Sequence, residues 1–281
     1  MTAQVLTYKY QLRPTPRQYR ALEEILEQQR QLYNAALAER IDAYRKAGLT
    51  ISEAQQSKSL TQIRGDDPAF EIDDVVAASL PVAYLTAQVT QTLAGFKPGM
   101  TVLAPGIGGS VGNATYQLAR AQGAGKVIST AGSAAKAAKA RALGFEDVVD
   151  LTAEGLAEGV RRITDGKGVD IVIESIGGAV TSEALSCLSL GGVLITLGYS
   201  AGRKSTIDVT DLIWKRARMA GFSLFAQSPA AVAAAWRDVI PLMVSGSVKP
   251  IVERVYRLSE AGEALRHLIE DRPFGKVVLA G

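Results

Sequence analysis

Two patterns of apolar positions alternate through the C-terminal two thirds of this chain. Short apolar runs predict buried strands, and segments with an apolar residue every three or four positions predict helices. The predicted strands are 101–104, 126–130, 147–151, 169–174, 193–198 and 220–225, and the predicted helices include 134–143, 153–164, 182–190 and 229–245. Repeated strand–helix alternation predicts an α/β fold with a doubly wound parallel sheet and right-handed crossovers.

The first 64 residues follow a different pattern. A short alternating run, 6–13, predicts one strand, and residues 16–46 carry an apolar stripe at helical period. As one helix this stretch would be roughly 45 Å long, so a break into two helices is the alternative. The turn-rich polar residues 64–68 predict a boundary between a mostly helical N-terminal segment, 1–70, and a nucleotide-binding domain, 71–281.

A glycine-rich turn separates the first predicted strand of the domain from a helix. Gly106 is expected to reverse the chain, Gly109 to let backbone N–H groups approach a diphosphate, and Gly112 to let the helix pack closely on the strand. Ser110 and Val111 open that helix, where unpaired N–H groups favour an anion. The glycines alone would also fit an ordinary strand–helix turn, so the cofactor interpretation depends on the rest of the domain.

Composition narrows the class of protein. Of the 281 residues, 47% are hydrophobic and 21% charged, which is typical of a core-forming globular chain, and the net charge of +3 gives no argument for nucleic acid. One cysteine, Cys187, excludes an internal disulfide and favours a reducing cytoplasm. With one histidine, His267, no zinc site of the usual Cys/His kind is expected. No apolar run approaches ~18 residues, so no membrane span is predicted.

The N-terminal segment resembles a known family. Residues 8–16, 32–41 and 44–46 are similar to the start of the transposon-encoded TnpB/OrfB proteins, which are RNA-guided nucleases. The catalytic acids and zinc-binding cysteines of that family lie in a region that this chain does not have. Because acidic residues offset the basic ones here, a solvated helix face is favoured over nucleic-acid binding.

The rest of the chain resembles a second family. The segments 80–87, Leu-Pro-x-x-x-x-Thr-Ala, and 97–99, Lys-Pro-Gly, followed by the glycine-rich turn, are similar to the zinc-independent quinone oxidoreductase branch of the medium-chain dehydrogenases/reductases. The resemblance covers residues 77–279 and implies hydride transfer from NADPH to a quinone or an α,β-unsaturated carbonyl. The N-terminal extension replaces the family's barrel-like domain. We therefore expect an open cleft, a tail strand without a sheet and impaired turnover. The alternatives are a non-catalytic nucleotide-binding fusion product and a transposon-derived nucleic-acid-interacting protein.

The end of the second predicted strand favours NADPH over NADH. It has no carboxylate, which would bind the ribose hydroxyls of NADH and repel a 2′-phosphate. Lys136 and Ser133 follow the strand and could bind that phosphate, and Lys139 is the alternative cation. The resemblance places Gly132 and Lys136 where quinone reductases hold NADPH, although Leu151 replaces a family tyrosine. Small or polar residues at the other strand ends complete the predicted cofactor site: Gly106, Thr130, Ser175, Gly177, Gly198 and Tyr199.

Catalytic candidates are few. By resemblance, Thr86 lies near the nicotinamide, while Tyr84 and Tyr199 are either proton donors or packing residues, with packing favoured. Cys187 is predicted in the core of an apolar helix, and His267 on the surface. The resemblance also predicts a homodimer through an exposed sheet edge formed by residues 221–225.

Overall fold

We describe residues 79–280 from a computed structural model. The TnpB/OrfB-like segment and the predicted boundary between residues 70 and 71 lie outside the described residues. In the described part, no helix is long and apolar enough to cross a membrane.

Six parallel strands form the central sheet. They are β1 Thr101–Ala104, β2 Lys126–Ala131, β3 Asp147–Asp150, β4 Val169–Glu174, β5 Leu188–Thr196 and β6 Arg218–Gly221. Their order across the sheet is β3-β2-β1-β4-β5-β6, and every neighbouring pair is parallel. The order reverses between β1 and β4, so a doubly wound sheet offers a ligand crevice beyond the carboxyl ends of these strands. The predicted α/β fold is confirmed.

Eight α-helices flank the strands in the described part. They are α1 Pro81–Ala94, α2 Ser110–Ala121, α3 Ala134–Ala142, α4 Leu156–Ile163, α5 Ala179–Ser186, α6 Val209–Lys215, α7 Pro229–Val244 and α8 Ala261–Arg266. Alternate side chains of the strands enter two apolar clusters, since successive strand residues point to opposite faces. Val102 and Ile171 lie in one cluster, Leu103 and Val172 in the other.

Three predicted elements are wrong in their limits. The strand predicted over 193–198 is Leu188–Thr196. The helix predicted over 182–190 ends at Ser186, because Leu188 begins β5 and pairs with Val169. The strand predicted over 220–225 is Arg218–Gly221, and residues 224–226 form a 3-10 turn instead. The exposed sheet edge therefore lies a few residues before the predicted one.

The C-terminal tail forms a sheet of its own. Strands β7, Val252–Arg257, and β8, Lys276–Ala280, pair in parallel, so the expectation that the last strand lacks a sheet is wrong. The residues just before β8 fasten it to the glycine-rich turn. The N–H of Gly275 donates to the carbonyl of Gly108 over 3.0 Å, and the buried ring of Phe274 packs beside that glycine.

Candidate functional site

The glycine-rich turn is fastened to the end of β2. Gly106 has a φ of 83°, a left-handed conformation that favours glycine. Its N–H donates to the Thr130 hydroxyl over 2.9 Å, and the N–H of Ile107 donates to the Thr130 carbonyl over 2.8 Å. A Cβ at Gly112 would overlap the Gly106 carbonyl oxygen, so the third glycine is required by packing, as its spacing predicted.

The start of α2 presents free donors at this turn. Its N-cap residue, Gly109, has no side chain to cap the helix, and no described residue accepts from the N–H of Ser110 or Val111. Unpaired N–H groups at a helix start bind anions, and the helix dipole adds positive charge. These residues therefore fit the diphosphate of a dinucleotide.

The end of β2 is uncharged apart from one lysine that follows it. Ser133 caps α3 by accepting from the N–H of Lys136 over 3.3 Å, and the Lys136 side chain runs beside Gly108. No side chain or backbone atom beyond the chain neighbours would come within 4 Å of a Cβ at Gly132. The nearest carboxylate in register belongs to Asp150 of β3, where hydrogen bonds from the hydroxyl and N–H of Thr152 lower its pKa.

A buried carboxylate that our sequence analysis passed over organises the end of β4. One oxygen of Glu174 accepts from the N–H groups of Ile176 and Gly177, over 2.5 and 2.7 Å. The other accepts from the hydroxyls of Thr181 and Thr196, over 2.8 and 3.2 Å. Glu174 is fully buried, so these four bonds hold the β4 loop against both β5 and α5. A carboxylate that directly follows the apolar run 171–173 was the available signal.

A cavity of about 590 Å³ opens at the carboxyl ends of β4, β5 and β6. Gly177, Gly198 and Tyr199, three of the predicted cofactor residues, line it. Ser175 lies directly against Gly198, where a Cβ would overlap the Ser175 carbonyl. Tyr199 is 65% exposed, so the preference for a packing role is wrong.

The catalytic candidates lie elsewhere. Thr86 is buried in the middle of α1 and is not part of the cavity wall. Tyr84 is also buried in α1, which raises the pKa of its hydroxyl and confirms packing. Cys187 is in the core as predicted, where burial raises the pKa of its thiol to about 12.

His267 is a partly exposed surface residue, and both nitrogens of its ring have carboxylate partners. Its Nε2 lies 2.8 Å from Glu253 Oε2, and its Nδ1 lies 2.7 Å from Asp271 Oδ2. These hydrogen bonds raise the pKa of the imidazole, and they tie the turn after α8 to β7. Over residues 79–280, no group of three or more His, Cys, Asp or Glu side chains is placed to bind a metal ion.

Comparison with known proteins identifies the family of this chain. A dinucleotide-binding α/β domain is the class that this sheet and turn define. The family described as zinc-binding dehydrogenase matches residues 110–245. The quinone oxidoreductase of Thermus thermophilus, whose structure includes a complex with NADPH, superimposes with a TM-score of 0.65 at 30% identity, covering 74% of this chain and 67% of that one. The chain belongs to the medium-chain dehydrogenases/reductases.

Two curated relatives extend the comparison. Quinone oxidoreductase-like protein 2 of Bos taurus is 29% identical over 215 residues, which cover 73% of this chain and 60% of the relative. The 2-haloacrylate reductase of a Burkholderia species is 30% identical over 220 residues, 75% of this chain and 64% of the relative. The chain thus spans about three fifths of these relatives. A helix-turn-helix domain of OrfB proteins matches residues 1–48, which confirms the transposase-like N-terminus.

Proposed function

We propose that this chain is an NADPH-dependent reductase that delivers hydride to a quinone or an α,β-unsaturated carbonyl compound. The observation that carries the proposal is the glycine-rich turn, which is hydrogen-bonded to the end of β2 and has free N–H groups at the start of α2. The end of β2 itself has no carboxylate and lies beside Lys136. Similarity to a quinone oxidoreductase and to a haloacrylate reductase supports the reaction class.

The residues of the chain have separable tasks in this reaction. NADPH, when bound, supplies the hydride, and the acceptor takes up the hydride and a proton. The N–H groups of Ser110 and Val111 would hold the diphosphate, and the Lys136 ammonium with the Ser133 hydroxyl would hold the 2′-phosphate. Gly177 and Gly198 line the cavity that would take the nicotinamide ring, and Ser175 packs against Gly198. The hydroxyl of Tyr199 is the proposed source of the proton, and Thr86 stays our family-based candidate near the nicotinamide.

The proposal is tested on the purified full chain. NADPH binding is measured by quenching of tryptophan fluorescence, and turnover by the loss of NADPH absorbance with 1,4-benzoquinone or 9,10-phenanthrenequinone. Saturable NADPH binding with turnover of either quinone supports the proposal. Equal affinity for NADH and NADPH overturns the cofactor assignment.

The second candidate is a nucleotide-binding module without turnover. It is favoured by the OrfB-like segment that matches residues 1–48 of the chain. Tight NADPH binding without oxidation by any quinone or enone would select this candidate. Binding of DNA or RNA at physiological salt would instead support a nucleic-acid role for the N-terminal segment.

We also propose that two copies of the chain pair through β6, in the cytoplasm. All four residues of β6 are exposed, and in the described structure the strand pairs on one side only, with β5. Trp214 and Phe225, close to β6 in sequence, are 78% and 83% exposed. An unpaired strand beside exposed aromatic side chains favours strand addition. The buried, single Cys187 suits a reducing compartment.

A further inference from the structure

The cavity at the ends of β4, β5 and β6 has a marked charge bias. Of the side chains that line it, Arg203 and Lys204 are the charged ones, and both are positive. Both are exposed, and no described residue forms an ion pair or a hydrogen bond with either side chain. The nearest acid in sequence, Asp208, is occupied as the cap of α6, where it accepts from the N–H and hydroxyl of Thr210.

The backbone around these cations is held in place. Gly202 pairs with Gly177 in a parallel bridge, its carbonyl accepts from the N–H of Gly178 over 3.0 Å, and the N–H of Ala201 donates to the carbonyl of Ile176 over 2.8 Å. The Arg203 guanidinium lies 5.5 Å from the centre of the Tyr199 ring, within cation–π range. The two charges thus extend from a loop fixed to the β4 loop.

The position of the cations separates them from the adenosine end of the cofactor. Lys136 follows β2, and the order β2-β1-β4-β5 places the cavity three strand spacings away, roughly 14 Å. A dinucleotide held by its 2′-phosphate near β2 extends across the β1/β4 reversal, so its nicotinamide end reaches the β4–β5 side. Arg203 and Lys204 are therefore placed beside the reacting end, where the hydride acceptor binds.

We propose that Arg203 and Lys204 form an anion subsite for the hydride acceptor. The preferred substrate is then an α,β-unsaturated carbonyl compound that also carries an anionic group, either a carboxylate or the phosphate of a carrier such as coenzyme A. This inference rests on the proposed reductase function and names the substrate class of that same site. Arginine and lysine bind both anions, arginine in a two-pronged manner.

The test compares matched acceptors on the full chain. trans-3-Benzoylacrylate is compared with its uncharged methyl ester, and crotonyl-coenzyme A with the phosphate-free N-acetylcysteamine thioester of crotonate. In Arg203→Gln/Lys204→Gln, KM for the preferred anionic acceptor should rise about 10-fold or more, with KM for its neutral counterpart unchanged. The anionic acceptor whose KM rises more in this variant identifies the preferred anion as carboxylate or phosphate. The control is Lys97→Gln/Lys167→Gln, which also removes two positive charges. These lysines precede β1 and β4, at the amino ends of the strands, whereas the cavity lies at the carboxyl ends.

Equilibrium binding keeps this inference apart from the proposed function. Calorimetry with NADP⁺ present measures 3-benzoylpropionate, the reduced form of trans-3-benzoylacrylate, and its methyl ester. A second pair is butyryl-coenzyme A and the phosphate-free N-acetylcysteamine thioester of butyrate. Selective binding of the anionic member of either pair that is lost in Arg203→Gln/Lys204→Gln supports the subsite even if no acceptor is turned over, in which case only the reductase assignment fails. Three results overturn the subsite: equal binding or turnover of the anionic and neutral members in both pairs, no binding of any of the four compounds, or a matching loss of NADPH affinity in the variant.

Discussion

At the residue scale, Gly112 is the most constrained position of the glycine-rich turn. A Cβ there would overlap the Gly106 carbonyl oxygen and lie 2.8 Å from that of Pro105, and backbone atoms cannot move aside as a flexible side chain can. Gly112→Ala should therefore shift α2 away from β1. We expect a loss of about 1–3 kcal/mol in the free energy of unfolding and at least 10-fold weaker NADPH binding.

The matched control for this substitution is Gly262→Ala. Gly262 also lies in a helix, α8, but no atom would come within 4 Å of a new Cβ there. Urea unfolding and NADPH titration of both variants check the expectation. Unchanged NADPH affinity in Gly112→Ala would mean that the turn does not hold the diphosphate.

Lys136 tests the choice of cofactor. If its ammonium binds the 2′-phosphate, Lys136→Ala should raise the Kd for NADPH about 10-fold while leaving the Kd for NADH unchanged. Lys139→Ala is the control, because the Lys139 ammonium lies 5.4 Å from the centre of the Phe274 ring and so faces the tail. Equal losses of affinity for NADPH and NADH would instead mean that Lys136 binds a part of the cofactor that both share.

The residues that sequence analysis found and missed differ in what fixes their position. The glycine-rich turn was predictable because its donors and its packing depend on neighbours within about seven positions. Glu174 was missed because its role depends on Thr196, 22 residues away, and on burial between two strands. The partners of His267 were missed for the same reason, since Glu253 lies on β7.

At the scale of elements, His267 links β7 to the turn that follows α8. Its raised pKa means that the folded state binds the proton more tightly than the unfolded state does. The stabilisation is therefore fully present below the ordinary histidine pKa, about 6.5, and is lost as pH rises through the higher folded value. The urea midpoint of the chain should fall as the pH rises above about 6.5, and His267→Gln should remove that part of the fall.

His267 is the only histidine of the chain, so one imidazole proton resonance reports its titration without assignment. We expect that resonance to titrate above about 6.5 in the folded protein and to return to about 6.5 in urea. A folded-state titration below 6.5 would contradict the two carboxylate hydrogen bonds.

The limits of elements were less predictable than their order. Residues 182–190 carry apolar side chains that fit helical spacing, yet Leu188 enters the strand because it pairs with Val169 and fills the core beside it. Tertiary pairing overrides local propensity at such boundaries. The same applies to β6, which ends at Gly221 because Phe222 makes the last bond to β5, from its N–H to the carbonyl of Thr196.

At the scale of the whole molecule, strand–helix alternation predicted the parallel sheet and the edge where the site lies. The sequence contains no local signal for the pairing of β7 with β8, because their register joins residues some 24 positions apart, as in the pair Val252–Lys276. That pairing also brings Phe274 and Gly275 to the glycine-rich turn. The tail thus packs against the proposed cofactor site. Neither the sequence of the tail nor that of the glycine-rich turn indicates this contact by itself.

The exposed edge of the sheet gives the last prediction. Gly221 ends β6, and a side chain there would meet no atom within 4 Å, so Gly221→Lys places a charge on the edge without strain. If two copies pair through β6, this charge should convert a dimer to a monomer, since lysines on edge strands oppose strand addition. Light scattering after size-exclusion chromatography measures the mass, and Gly262→Lys adds the same charge to α8 as the control. A wild-type monomer, or a Gly221→Lys dimer as stable as the wild type, would contradict pairing through this edge.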